Sequence, residues 1–428
     1  MSLKVIVIGL VSIWASILAN KNIAVYHDGI RPIMGEYIEG RMRKSELIGI
    51  AFAMSFGLVI GFGIPFSLTS QVILIHSILL GTDVIGIASP NAPVAAVLGG
   101  AYGVGLTLGL EWVVKFFESL PINIMESMML IGDPIVISFS ALPALAVGYQ
   151  FGAKKGILTL AISGLARVII AKINPIVISG SEVSISPDGI ALGIGMILLM
   201  GFAINASNNK ENAKRHLENS NITLFTNNAN NIRKNLIPLL IMGALISLGA
   251  SLHFIGGSPM DVTFLSQGKV SEAATIAFIK IIGYLPLVVT TGLVSGVWAS
   301  GGICDWLFGL GFISTPVIAP FLGAAGMVAE VFGVKYLATF LDKYPEIRQS
   351  GDHIRTAMTQ ILEVALLVGG MVAANNMAPT FGYFVVAGLY ILNIIAGAPI
   401  VKMAVGPVAA VLVGILANIF VFFNLINV

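Results

Sequence analysis

Long apolar stretches recur from one end of the chain to the other, each bounded by a short polar turn. A helix crosses the hydrocarbon core of a bilayer in about 20 residues, so each stretch is a candidate span. The first covers about Leu3 to Ala19, and others follow near 46–68, 70–88, 91–116, 122–151, 156–173 and 187–204. After a polar interval the pattern resumes near 236–256, 272–297, 306–326, 327–342, 354–374, 379–397 and 403–425. Gly and Pro interrupt several of these stretches, and interrupted segments are often half-length or re-entrant. The expectation is therefore 10 to 14 transmembrane segments. The short alternating strands of a membrane β-barrel are absent. The pattern predicts an all-α, polytopic integral membrane protein with broken or re-entrant half-helices.

Composition points the same way. The 428 residues are 57% hydrophobic and 10% charged, whereas a soluble domain carries about 25% charged residues. Such a chain cannot cover its surface with charge, so its solvent is largely lipid. The net charge of +2 gives no reason to expect nucleic acid as a partner. One cysteine, Cys304, excludes an intrachain disulfide and any multi-cysteine metal or redox centre. No phosphate-binding loop, paired-His zinc motif or nucleophile elbow is present. Neither a cofactor nor a metal is expected, and the chain reads as a non-enzyme.

The positions of the charges set a topology. Lys21, Arg31, Arg41, Arg43 and Lys44 follow the first span, against Lys4 alone before it. Basic residues stay on the cytoplasmic side, which puts the N-terminus outside. A signal peptide is the competing reading of the first segment. Lys154 and Lys155 mark another cytoplasmic turn, whereas 174–189 has no Lys or Arg and reads as external. The Asn-rich stretch 205–235, with Lys210, Lys214, Arg215, Arg233 and Lys234, falls inside. The organisation that results is a first helix with a cytoplasmic segment (1–45), a first transmembrane half (46–204), a cytoplasmic loop (205–235) and a second half (236–428).

Short echoes link the halves: Pro93–Leu98 recurs as Pro407–Leu412, and Gly132–Val136 resembles Gly397–Val401. Transporters are often built from internal repeats, although short matches also arise by chance in so apolar an alphabet. Asp133-Pro134 interrupts a long apolar stretch and has the grammar of a helix start. Thr315-Pro316, Ser89–Pro93 and Asn375–Pro379 repeat it, the last two reading equally well as turns. A half-helix N-terminus inside the membrane can hold a polar or anionic ligand. Asn91, Asp133, Ser138, Thr315 and Asn376 are the candidate substrate contacts.

Ionisable groups within spans are costly and are functional candidates by default. His76 and Asp83 share a helical face two turns apart. Asp83, Asp133 and Glu363 are the candidate ion-coupling carboxylates, for protons or sodium. Solvation near opposite membrane surfaces is the bland reading of the first pair. Lys280 lies in the apolar stretch Ile276–Val289, and the small hydroxyl residues of the Thr290-Thr291-Gly292 run that follows read as pathway lining or as helix packing, packing being the commoner use. Glu330 precedes Lys335 and suggests a local ion pair. The polar segment Tyr26–Pro32 suits a hairpin, a docking site or a gate.

The His27–Pro32 segment, the Ser89–Pro93 run, the Asp133-Pro134 break and the Asn-rich central loop together resemble the YhfT family over essentially the whole chain. That resemblance implies a multi-pass protein of the bacterial inner membrane regarded as a candidate transporter. Two apolar halves with broken helices are also similar, at the level of fold, to phosphotransferase-system permeases, which implies a two-repeat elevator-type carrier and a homodimer. The function expected is alternating-access transport of a small polar or anionic metabolite, coupled to an ion. A permease subunit served by separate soluble partners is the alternative, and a membrane-embedded enzyme or channel is the third.

Overall fold

The computed structural model describes residues 2–178, 181–183, 185–208, 222–303 and 305–425. Among the described residues, eight helices are long and apolar enough to cross a membrane, or up to ten if each bent pair is one span. In the first half α1 (Leu3–Asn20) leads through a short α2 (Ile30–Ile38) into a rod. The rod is α3 (Lys44–Leu58), a π-helical turn (Val59–Gly63) and α4 (Ile64–Ser70). Two extended residues, β1 (Ile73–Leu74), precede α5 (Ile75–Ala88) and α6 (Ala92–Glu118). Next come α7 (Ile124–Met129), α8 (Gly132–Ser140) and α9 (Leu142–Phe151), then α10 (Ala153–Ile173), a hairpin β2–β3 (Ile176–Ile178, Ser181–Val183) and α11 (Pro187–Ser207).

The second half begins with α12 (Ile222–Lys234), bent by 70° into α13 (Leu236–Ser251). β4 (Ile255–Gly256) and α14 (Pro259–Ser266) follow, then a rod of α15 (Val270–Ile279) and α16 (Ile281–Ser295) bent by 50° at Lys280. Beyond an unwound stretch lie α17 (Trp306–Phe312), α18 (Ala319–Lys343), α19 (Pro345–Met377), α20 (Phe381–Ile395) and α21 (Lys402–Phe422). Two spans expected at 306–326 and 327–342 are instead one short helix and one long one. The break falls at Ser314–Pro316, and Gly323 and Gly326 are packing residues inside α18. Asp133-Pro134 does start α8, but its carboxylate makes no cap; it accepts from the Gln267 amide at 3.1 Å.

The two halves follow the same path in opposite directions. Trp14 donates to the Pro238 carbonyl at 2.8 Å, while a methyl added at Gly249 would stand 3.6 Å from Val7. α1 and α13 are therefore antiparallel. After α1 the chain turns at Asn22 (φ 55°), and Ala24 bridges Trp298 in parallel. After α13 it turns at His253 (φ 54°), and Ile255 pairs with Ile73 in parallel. Gln71 (φ 57°) and Gly296 (φ 76°) make the turns that precede Ile73 and Trp298. One offset, 231 residues, carries Asn22 and Ala24 onto His253 and Ile255; another, 225, carries Gln71 and Ile73 onto Gly296 and Trp298. The two bridges exchange under these offsets, as an inverted repeat requires.

Helix packing repeats as well. Ser12 and Ser16 of α1 lie against Gly99 and Gly103 of α6, where any side chain would collide with them. In the second half Gly243 and Ser247 of α13 lie against Gly323 of α18 in the same way. Small residues let backbones approach closely where no hydrophobic force drives helices together in lipid. The echo Pro93–Leu98 and Pro407–Leu412 falls on α6 and α21, which are not counterparts, so it plays no part in the repeat. The exposed turn after α2 keeps Arg41 against Glu36 and Glu39, and Arg43 against Glu46. The hydrogen bond from Arg41 holds the Glu36 carboxyl below its usual range.

Candidate functional site

At the two crossings the chain leaves helical geometry inside an apolar interior, so its N–H groups need acceptors. Asp83 of α5 supplies them in the first half, accepting from the amides of Tyr26 at 3.1 Å and His27 at 2.9 Å. Asp261 does the same in the second half, accepting from the amides of Gly257 at 3.1 Å and Ser258 at 2.7 Å. The offset of 231 makes Gly257 and Ser258 the counterparts of Tyr26 and His27. Two carboxylates from different places in the chain thus brace the same two backbone positions. The unwound stretch before α17 has its own brace. Buried Glu330 of α18 accepts from the Ile303 amide at 2.8 Å, the Trp298 indole at 3.1 Å and the Trp306 indole.

A cavity of about 260 Å³ sits between the crossings. Its lining comes in counterpart pairs: Tyr26 with Gly257, His27 with Ser258, and His76 with Gly301. Leu58 and Phe62 face it from the π-helical turn of the first rod and the residue before it, and Lys280 and Tyr284 from the kink of the second. Phe139 of α8 and Arg355, Met358 and Leu362 of α19 close its side. Lys280, 2% exposed, binds Asp305 and lies 3.7 Å from Asp261. Arg355 pairs with Asp28 at 2.8 Å. Arg31 is buried, its guanidinium on the Thr291 hydroxyl at 2.9 and 3.1 Å and on the Val25 carbonyl at 3.1 Å. His76 meets Tyr26 and Phe62 edge-on, with ring centroids 5.1 and 5.0 Å apart.

The residues singled out from the sequence take several positions. Asp83 and His76 both engage Tyr26, one through its amide and the other through its ring and hydroxyl. Asn91 caps α6 by accepting from the Val94 amide at 3.0 Å. Ser138 is half-buried on α8, Thr315 is exposed before α18, and Glu363 accepts from the Tyr390 hydroxyl. Asn376 donates to Ser127 at 3.0 Å in a second cavity of about 660 Å³, beside Glu126. That cavity lies at the far end of α19: from Leu362 to Asn376 is 14 residues, roughly 21 Å of helix. None of Asn91, Asp133, Ser138, Thr315, Asn376, Asp83 or Glu363 is among the residues facing the central cavity. Sequence reasoning did not bring forward Asp305 or Arg355 as site residues, and gave Lys280 no role of its own. The signal it could have used was the run 296–302, with Gly at 296, 301 and 302, followed three residues later by Asp305.

Among the described residues, no three His, Cys, Asp or Glu side chains converge as metal ligands. Cys304 and the basic residues Lys210, Lys214 and Arg215 lie outside the described residues. The fold and its centre define a polytopic α-helical membrane protein made of two inverted halves around a largely apolar cavity that holds a few charged side chains. The chain belongs to the YhfT family: the family's profile, which carries the description "protein of unknown function", matches residues 4–426. It is similar to the "uncharacterized protein YhfT" of Escherichia coli strain K12, with 33% identity over 436 residues, spanning 99% of this chain and 98% of the relative. No solved structure matches it significantly.

Proposed function

We propose that the protein is a secondary-type transporter of the bacterial cytoplasmic membrane, moving a small polar or anionic metabolite by alternating access. The observation that carries this reading is the difference between the two ends of the cavity in an otherwise repeated frame. At one end α14 is pressed onto α8: a methyl added at Gly132 would stand 2.7 Å from Thr263, and Gln267 donates to Asp133. α19 is pressed onto α8 beside them, with Gly369 against Ile131. At the other end the counterparts, the Asp28 segment and α19, are linked by the Asp28–Arg355 pair. Those side chains keep 27% and 38% exposure, against 0% for Asp261 and 2% for Lys280 deeper in. The open end lies toward Lys343 and Arg348, the side that basic residues assign to the cytoplasm.

In an inverted repeat each half can adopt the conformation of the other, which exchanges the closed end with the open one. Closure of the Asp28 segment onto α19 and parting of α14 from α8 then give the outward-facing form. The test needs no substrate. A single cysteine at Leu362, in a Cys304→Ser background, should react with a membrane-impermeant thiol reagent in inside-out vesicles and not in right-side-out ones. Adding Gly132→Leu, which crowds the external contact, should reverse that preference. Labelling that stays on one side in both proteins would refute alternating access.

A further inference from the structure

We infer that Lys280 and Asp305 are the recognition pair of the central cavity, and that their solute has no net charge and presents a hydrogen-bond acceptor beside a donor. This deepens the transport reading and rests on it. The inverted repeat supplies an internal control. The offset of 225 assigns Ser55 to Lys280 and Leu80 to Asp305. The architecture is therefore satisfied by a serine and a leucine, with no charge between them, at one of its two centres. A buried ion pair gives a fold little that well-packed apolar side chains would not, so Lys280 and Asp305 call for a reason outside packing.

Their chemistry describes the solute. An ammonium only donates and a carboxylate only accepts, so a molecule that inserts between them offers an acceptor to Lys280 and a donor to Asp305. Amides and zwitterions share that pattern. Charge balance excludes the simple ions. Three cations, Arg31, Lys280 and Arg355, already stand against three carboxylates, Asp28, Asp261 and Asp305, in and beside the cavity. A further net charge in this interior would add a desolvation cost without a matching counter-ion. Size limits it too, since about 260 Å³ lies below the 300–1,000 Å³ of pockets for drug-sized ligands. Phe62, in the π-helical turn of the first rod, and Tyr284, after the kink of the second, face the cavity and offer apolar faces to its body.

Full-length protein in nanodiscs, dialysed to equilibrium against a low-molecular-weight extract of bacterial cells, tests this by mass spectrometry of retained solutes. Asp305→Asn keeps the shape and tolerates φ 60° at that position; Lys280→Met/Asp305→Asn removes both charges together. The wild type should retain uncharged or zwitterionic solutes, and Asp305→Asn should lower their retention about tenfold or more, as loss of a charged hydrogen bond does. The double variant should unfold at a temperature at or near that of the wild type. Retention of net-charged solutes, retention by Asp305→Asn equal to that of the wild type, or no solute enriched by the wild type would each overturn the proposal. Neutral solutes retained without any exchange of Leu362→Cys labelling would leave the pair standing and sink the transport reading; charged solutes with that exchange would do the reverse.

Discussion

Replacing Asp83 by alanine removes the acceptor of two buried backbone amides, those of Tyr26 and His27. An amide stranded without a partner costs about 1–3 kcal/mol, so the pair costs roughly 2–6 kcal/mol. Removal of a buried carboxylate returns part of this by relieving its own desolvation, and a net loss of about 2–4 kcal/mol is expected. Set against the usual folding stability of about 5–15 kcal/mol, that is a large fraction, and the unfolding temperature should fall by several degrees. Asp83→Asn should fall between, because one oxygen still accepts while the new amide hydrogens face the second N–H. Thermal unfolding of the purified protein in nanodiscs gives the first measure. Hydrogen exchange at the Tyr26 and His27 amides gives the second, and both should lose protection in the alanine variant. Wild-type unfolding and wild-type protection in both variants would refute the bracing role. If transport then lost its dependence on pH, Asp83 would be the ion-coupling carboxylate instead.

Two further outcomes follow from the packing and from the unwound stretch. Gly99→Leu and Gly323→Leu should each destabilise the protein by about 1–3 kcal/mol through overpacking, because both would collide with the antiparallel partner helix, whereas Gly105→Leu, with nothing within 4 Å, should stay within about 0.5 kcal/mol of wild type; equal effects at all three sites would contradict the repeated contact. Glu330→Gln should keep the Ile303 amide bond but weaken both indole contacts, seen as a shift of Trp298 and Trp306 fluorescence and a loss of about 1–3 kcal/mol on thermal unfolding; unchanged emission would show that Glu330 does not hold the stretch.

The membrane class, the all-α architecture and the positions of most spans follow from the sequence by itself. They depend on local quantities, namely apolar length and the sidedness of Lys and Arg. Local grammar also located helix starts, such as Asp133-Pro134 and Asn91. It did not reveal that Glu330, which looked like a partner for nearby Lys335, accepts from two tryptophans and a backbone amide. Nor could it reveal the repeat, because the halves share a backbone path rather than residues: lipid-facing Val, Ala and Leu are interchangeable, so chance echoes such as Pro93–Leu98 are as conspicuous as true counterparts. Tertiary structure decided the centre. Parallel bridges join Ala24 to Trp298 and Ile73 to Ile255, and only those long-range hydrogen bonds bring His27, His76, Lys280 and Asp305 around one cavity. Their burial then makes each polar group answer to a partner from another part of the chain, which no local pattern encodes.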